Sequence, residues 1–306
     1  MSGEAERKGI ILAGGAGTRL YPATLSLSKQ LLPVFDKPMV YYPLSTLMMA
    51  GLREVLVIST PRDIPAFREL LGDGSKWGME LSYRVQERPE GLAQALIIAD
   101  DYLAGAPSCL ILGDNIFYGY DLERILRGAV GNQRGAVIFA YHVDEPGRYG
   151  VVEFNPKGEA VGLEEKPKEP RSNYAVTGLY LYDDKAPGLC RDLKPSGRGE
   201  LEITDLNRLY LERGELKVEV LERGFAWLDT GTHEHLLAAS QFIETIEKRQ
   251  GIKIACPEEV AYRNGWIDKK ALLALAKAYA QNNYGRYLAK VADERPLPHS
   301  GREGPA

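Results

Sequence analysis

The chain has 306 residues, 44% of them hydrophobic, with 38 basic and 42 acidic side chains and a formal net charge of -4. That is enough apolar length for one large or two small globular domains. The near balance of charge excludes an overall basic field for nucleic acid or anionic membrane, so any anion binding must be local. Cys109, Cys190 and Cys256 lie far apart with no Cys-x-x-Cys pair, the pattern of reduced thiols in a cytoplasmic protein. No apolar run approaches the roughly 18 residues of a membrane span, and residues 1–8 are polar, so neither insertion nor secretion is expected.

The first element is the apolar run Gly9-Ile10-Ile11-Leu12, which ends in Ala13-Gly14-Gly15-Ala16-Gly17-Thr18-Arg19-Leu20. It reads as a buried strand opening into a glycine loop, where backbone N–H groups can approach an anion without interference from Cβ. Arg19 and Lys29 flank that loop as a bidentate and a point-charge cation, which suits a polyphosphate. A dinucleotide fingerprint fits less well. Leu20 stands where its third glycine belongs, and Pro22 and Pro33 interrupt the crossover helix required before the acid Asp36. The chain has no Gly-Lys pair, which excludes the Walker loop.

Pro43 to Gly51 carries Leu44, Leu47 and Met48 at helical spacing and predicts a core-facing helix. Glu54 to Ser59 is an unbroken apolar strand, Pro65 to Leu71 a short helix, and Leu81 to Val85 a third strand followed directly by Gln86. A helix is expected from Gly91 to about Tyr102, then a fourth strand, Leu110 to Leu112, ending in Gly113-Asp114-Asn115. This alternation predicts a right-handed α/β sheet of Rossmann-like, mostly parallel type, with ligands at the carboxyl ends of the strands. The glycine loop, Gln86 and Asp114 all fall at those ends.

Beyond a helix from Asp121 to Ala129 and a strand from Ala136 to Tyr141, the pattern changes. Val151 to Phe154 and Ala160 to Glu165 flank the turn composition Asn155-Pro156-Lys157-Gly158 and read as a hairpin. Leu179 to Tyr182 and Leu216 to Val220 read as strands, and Glu200 to Arg213, His233 to Arg249 and Asp268 to Ala280 as helices. The organisation expected is an α/β domain with hairpin insertions over 1–250, a helical annex over 251–292, and a disordered tail over 293–306.

Asp114 and Asp229, each following apolar residues, could together hold Mg²⁺, which takes one or two protein acids plus phosphate and water oxygens. Taken alone, Asp229 could equally cap the helix that begins near His233, and Asp114 could be a turn acid. Lys166 sits at a strand end where a cation could meet a phosphate, or it is a solvated hairpin charge.

Several motifs occur in order: the glycine loop with Lys29 and Pro33, Pro38-Met39-Val40-Tyr41-Tyr42-Pro43, Gly91-Leu92-Ala93-Gln94-Ala95, Leu112-Gly113-Asp114-Asn115, Tyr149-Gly150-Val151-Val152-Glu153, Leu163-Glu164-Glu165-Lys166-Pro167 and Trp227-Leu228-Asp229-Thr230-Gly231-Thr232. Together they resemble the sugar-1-phosphate nucleotidyltransferases, thymidylyl-transferring members above all, over about residues 8 to 290. The resemblance implies that Gly14, Gly17, Thr18, Arg19, Lys29 and Gln30 hold nucleotide phosphates and that Gln86 and Gly91 read the pyrimidine. It implies Asp114 and Asp229 as Mg²⁺ ligands, and Asn115, Tyr149, Gly150, Glu165, Lys166 and Val176 as the sugar-phosphate site. The catalytic set would be Arg19, Lys29, Lys166, Asp114 and Asp229. The implied substrates are dTTP and glucose 1-phosphate, giving dTDP-glucose and pyrophosphate, with a homotetramer and feedback by dTDP-L-rhamnose near Cys256 to Arg263. The rival readings are a UTP-preferring uridylyltransferase, a nicotinamide oxidoreductase and a non-catalytic sugar-nucleotide-binding subunit.

Overall fold

The computed structural model of the chain describes residues 5–15 and 17–294. Strand β1 (Lys8–Leu12) runs into the glycine loop, and a two-residue ribbon, β2 (Pro33–Val34) with β3 (Lys37–Pro38), leads to helix α1 (Tyr41–Met49). Then come β4 (Glu54–Ser59), α2 (Ile64–Leu71), β5 (Glu80–Val85), α3 (Gln94–Ile98), α4 (Asp100–Leu103), β6 (Ser108–Leu112), β7 (Asn115–Gly119) and α5 (Leu122–Val130). The second half holds β8 (Ala136–His142), β9 (Gly150–Phe154), β10 (Ala160–Glu165), β11 (Tyr174–Tyr182), α6 (Ala186–Arg191), α7 (Ile203–Glu212), β12 (Leu216–Leu221), β13 (Phe225–Asp229) and α8 (His233–Gln250). Helices α9 (Pro257–Arg263), α10 (Lys269–Ala278) and α11 (Asn283–Asp293) close the described chain. The tail expected to be disordered falls, from 295 onward, outside the described residues.

Strands β5, β4, β1 and β6 lie side by side and parallel, with Ile10 opposite both Leu56 and Leu110. In β1, β4 and β6 the largely apolar runs reflect cover on both faces, whereas the edge strand β5 alternates, burying Leu81 and Tyr83. Ile11, Val55, Val57 and Ile111 pack with α1, α2 and α5; Ile10, Leu56, Ile58 and Leu110 pack with α3, α4, α6 and α7. Beyond β6, the antiparallel β11 carries the sheet on to β8 and β12. The β9–β10 hairpin attaches where β6 has ended, through Ala175 opposite Val151. The chain moves outward from β1 to β4 and β5, then crosses back to β6. The carboxyl ends of β1 and β6 therefore flank a topological switch point, where open α/β sheets bind ligands.

The expectations differ from the structure most at two places beside the cleft. The helix predicted from Gly91 begins only at Gln94 and is split after Ile98. Its first turn is diverted because Leu201 pairs with this loop, donating to Glu90 O (2.7 Å) and accepting from Ala93 N (3.2 Å). Gly91, at φ +111°, is pressed against the Leu201 backbone, leaving no room for a Cβ. The second difference is the antiparallel ribbon β7–β13, where turns and isolated acids were expected.

Helix α8 lays Ala239 and Ile243 over Val34, Met39, Tyr42 and Ile116, and a buried ion network fixes its far end. Glu247 accepts from Lys37 Nζ (2.9 Å), Lys253 Nζ (2.5 Å) and Ile254 N (2.9 Å), while Asp36 pairs with both lysines. Asp36 is thereby occupied away from the glycine loop, which removes the ribose acid of the dinucleotide reading. Glu247→Ala would leave Lys37, 3% exposed, with only the partly exposed Asp36 as counter-charge, and would strip the buried Ile254 N–H of its acceptor. The expected cost is about 1–3 kcal/mol; a denaturant midpoint unchanged from wild type would refute it.

Candidate active site

At the switch point lies a cleft of about 410 Å³, open to solvent. Its floor is the glycine loop. The loop is anchored where Ala13 N donates to Ile58 O (2.8 Å) and Thr24 Oγ1 to Gly17 O (2.8 Å). Gly14 has no room for a Cβ, which would strike the side-chain oxygen of Gln86. Gly15 and Gly17 stand at φ +94° and +60°, conformations open to glycine at little cost. Gly14, Arg19, Lys29, Gln30, Gln86 and Gly91 line the cleft. Gly17 and Thr18 are outside that lining. Gly17 instead caps the one-turn 3-10 helix, Thr18–Leu20, that carries Arg19 to the cleft.

The β7–β13 ribbon brings the two acids together. Its register sets Asp229 opposite Asn115, and Thr230 donates to Asp114 O through both N (3.3 Å) and Oγ1 (2.8 Å). Lys29 pairs with Asp114 Oδ2, and Asn115 Nδ2 donates to Asp114 Oδ1 (3.0 Å). Burial pushes the Asp114 carboxyl up, but the Lys29 ammonium and these hydrogen bonds outweigh it and hold the group below the usual carboxylate range. The Asp229 carboxyl is raised by burial and then by the charge of Asp114, with Lys29, Arg19 and His235 only partly offsetting both. Asp229 does not cap the following helix. Thr232 does so, accepting from His235 N (3.3 Å), which leaves the Asp229 carboxylate facing the cleft.

Strands β9, β10 and β11, with the residues flanking the first two, carry the other predicted residues. Tyr149, Gly150, Glu165, Lys166 and Val176 all line the cleft, as does Asn115. Lys166 has φ +47°, a strained conformation for a residue with a side chain, and its N–H donates to Tyr149 O (2.9 Å). Glu165 accepts from Thr204 Oγ1 (2.5 Å) and from Arg198 (3.2 Å), so its orientation is fixed. Gly150 lacks a Cβ where one would press on Thr204 Oγ1 at 2.9 Å. Asn115 Oδ1 accepts from Trp227 Nε1 (2.6 Å) and Gly178 N (3.0 Å), which settles the amide orientation and hence the donor offered to Asp114.

Sequence reasoning missed Arg148, Arg198, Glu200, Thr204 and the Trp227 indole, all of which line the cleft. Trp227 stood inside a motif whose acid drew the attention. Arg198 follows Pro195-Ser196-Gly197, a composition that reads as a solvated turn, and nothing in the sequence marks it as pinned to Glu202 (2.8 Å).

Among the described residues no group of three or more His, Cys, Asp or Glu side chains is placed to hold a metal ion. Asp114 and Asp229 form a two-acid set, and the repulsion that adds to burial in raising Asp229 is what a bound divalent cation would relieve. That donor set fits an ion of the Mg²⁺ kind, which takes its other oxygens from phosphate and water. Nor does any helix of the described residues have the length and apolarity to cross a membrane.

Comparison with known proteins identifies the family and the fold. Residues 8–246 match the model of the nucleotidyl transferase family. Over 287 residues the chain is 58% identical to a glucose-1-phosphate thymidylyltransferase of Xanthomonas campestris pv. campestris (strain B100), covering 94% of this chain and 97% of that one. It is also 58% identical over 286 residues to a protein of the same name from Mycolicibacterium smegmatis, covering 94% and 99%. A solved structure from Bacillus anthracis, with sucrose bound, superposes with a TM-score of 0.72 at 41% identity, covering 77% of this chain and 94% of that one.

Proposed function

The chain belongs to the nucleotidyl transferase family, and on that premise we propose that it transfers a thymidylyl group from dTTP to α-D-glucose 1-phosphate, giving dTDP-glucose and pyrophosphate. The observation that carries the reading is the arrangement of charge. Arg19, Lys29 and Lys166 line one cleft together with Asp114 and Asp229. The names of the relatives support the choice of base and sugar.

A sugar phosphate has its second pKa at about 6, so the attacking oxygen is already ionised at pH 7 and no general base is needed. The obstacle is the repulsion of two polyanions. Lys166 and Arg198 are proposed to hold the sugar phosphate, and Arg19, Lys29 and Gln30, with the Gly14 loop, the nucleotide phosphates, so that attacking oxygen and leaving pyrophosphate lie in line across the α-phosphorus. Asp114 and Asp229 would bind Mg²⁺, which when present neutralises charge on the transferring phosphoryl group. Gln86 and Gly91 are assigned to the base, and Asn115, Tyr149, Gly150, Glu165 and Val176 to the glucosyl group. The annex, residues 251–292, is proposed to carry the contacts of a homotetramer and a feedback site for dTDP-L-rhamnose.

The test is pyrophosphate release from each nucleoside triphosphate with glucose 1-phosphate, with Mg²⁺ and with chelator. The expected result is metal-dependent release, highest with dTTP. Preference for UTP would reassign the base, since the 5-methyl group is worth only about 1–3 kcal/mol in a pocket. No release with any nucleotide would leave only sugar-nucleotide binding.

A further inference from the structure

We infer that Glu90 and Gln94 set the hydrogen-bond polarity with which Gln86 meets the nucleotide base, so that the cleft accepts a base with an N–H on its pairing edge and rejects cytosine. This rests on the reading above that Gln86 faces the base. The three residues form a chain: Gln86 Nε2 donates to Gln94 Oε1 (2.6 Å), and Gln94 Nε2 donates to Glu90 Oε2 (2.8 Å). The Glu90 N–H also donates to Gln94 Oε1 (3.2 Å).

An amide side chain can turn over and exchange its donor and acceptor, but this chain cannot. A carboxylate only accepts and a backbone N–H only donates, so the two ends of Glu90 leave Gln94 one orientation. Gln94 then presents an oxygen to Gln86, which must answer with its nitrogen. Gln86 is 4% exposed, its backbone is fixed where its N–H donates to Ser59 O (2.8 Å), and its oxygen is left over Gly14 on the cleft floor. The glycine is therefore part of the device, since a Cβ there would displace the oxygen. Thymine and uracil offer N3–H to such an acceptor. Cytosine offers a bare N3, and two acceptors would face each other.

Gln94 belongs to the Gly91-Leu92-Ala93-Gln94-Ala95 motif, and the reaction itself gives it no task. It acts through Gln86, as a positioning residue. Its neighbour Gly91 and the Leu201 pairing hold the Glu90–Ala93 loop in place, which keeps Glu90 within reach of Gln94.

The experiment compares dTTP with dCTP in the full-length chain, by pyrophosphate release with glucose 1-phosphate and by calorimetric binding of each nucleotide. Gln94→Ala frees Gln86 to turn over. Its dTTP kcat/KM should fall about tenfold, mainly through KM, and the dTTP:dCTP ratio should fall at least tenfold in both assays. The double variant Glu90→Gln with Gln94→Glu reverses the chain's chemistry but keeps Gln86 donating, so it should return the ratio to within about threefold of wild type. If Gln94→Ala fails to fold, Gln94→Met, of similar length and without donor or acceptor nitrogen or oxygen, takes its place. A ratio unmoved by the single variant, or not restored by the double, overturns the inference. So does a wild-type chain that takes dTTP and dCTP alike. A wild type that binds dTTP selectively, loses that selectivity with Gln94→Ala and releases no pyrophosphate supports the inference while refuting transfer.

Discussion

Asp229→Asn is expected to lower turnover about 10²- to 10³-fold while raising the thermal midpoint of the ligand-free protein by about 2 °C. The two effects share a cause. The Asp229 side chain is 16% exposed, and burial followed by the charge of Asp114 raises its carboxyl above the ordinary range. A carboxyl whose folded pKa is raised favours folding while protonated. That contribution is fully present below the unfolded value of about 3.9 and is lost as pH rises through the folded one. At pH 7 the ionised group therefore costs stability, and the neutral amide removes the cost. The gain should be full at pH 7 and vanish near pH 3.5, where wild type is itself protonated. Calorimetric scans at the two pH values decide the point: a variant less stable than wild type at pH 7 would mean that Asp229 is held by contacts the amide cannot replace. Turnover near the wild-type level would remove Asp229 from the metal site.

The sheet was legible because β1, β4 and β6 are largely apolar runs, two of them closed by glycine, and Asp114, Lys166 and Asp229 sit at strand ends that the topology gathers with the one-turn helices of Arg19 and Lys29. What escaped was structure without local punctuation. Strand β7 begins at Asn115 directly after Asp114, and β13 ends on Asp229 itself, so the ribbon that aligns both acids was hidden in residues read only for their charge. β11 was read four residues long because Gly178 looks like a break. The structure needs a glycine there for another reason: a Cβ would press on Asn115 Oδ1 at 2.6 Å. The Glu90–Gln94–Gln86 chain was beyond reach in a similar way. Gln86 and Gln94 stood out in sequence, one at a strand end and one inside a motif, but Glu90 did not, and the chain's meaning lies in which atom donates to which.

Lys29→Ala separates the structural from the chemical role of the pair at the heart of the cleft. Lys29 and Asp114 are 14% and 13% exposed and bonded directly to each other. Removing the ammonium leaves a desolvated carboxylate unpaired, for an expected loss of about 3–5 kcal/mol. The pH dependence should change sign. In wild type, Asp114 is held below its ordinary range, so its contribution is present above about pH 3.9 and lost as pH falls through the folded value. In Lys29→Ala, burial acts on Asp114 unopposed by that charge, so acidification should now recover stability. Lys29→Ala with Asp114→Asn should regain most of the loss at pH 7 while turnover stays at least 10²-fold down, because neither phosphate nor metal regains its partner. A double variant no more stable than the single would show that packing of the lysine stem, not the ion pair, holds this wall. The pairing also accounts for how these two buried charges are accommodated in the ligand-free fold. Lys29 keeps Asp114 ionised, and under the proposed function it would exchange Asp114 for a phosphate oxygen when nucleotide binds, so that neither charge would be stranded in either state.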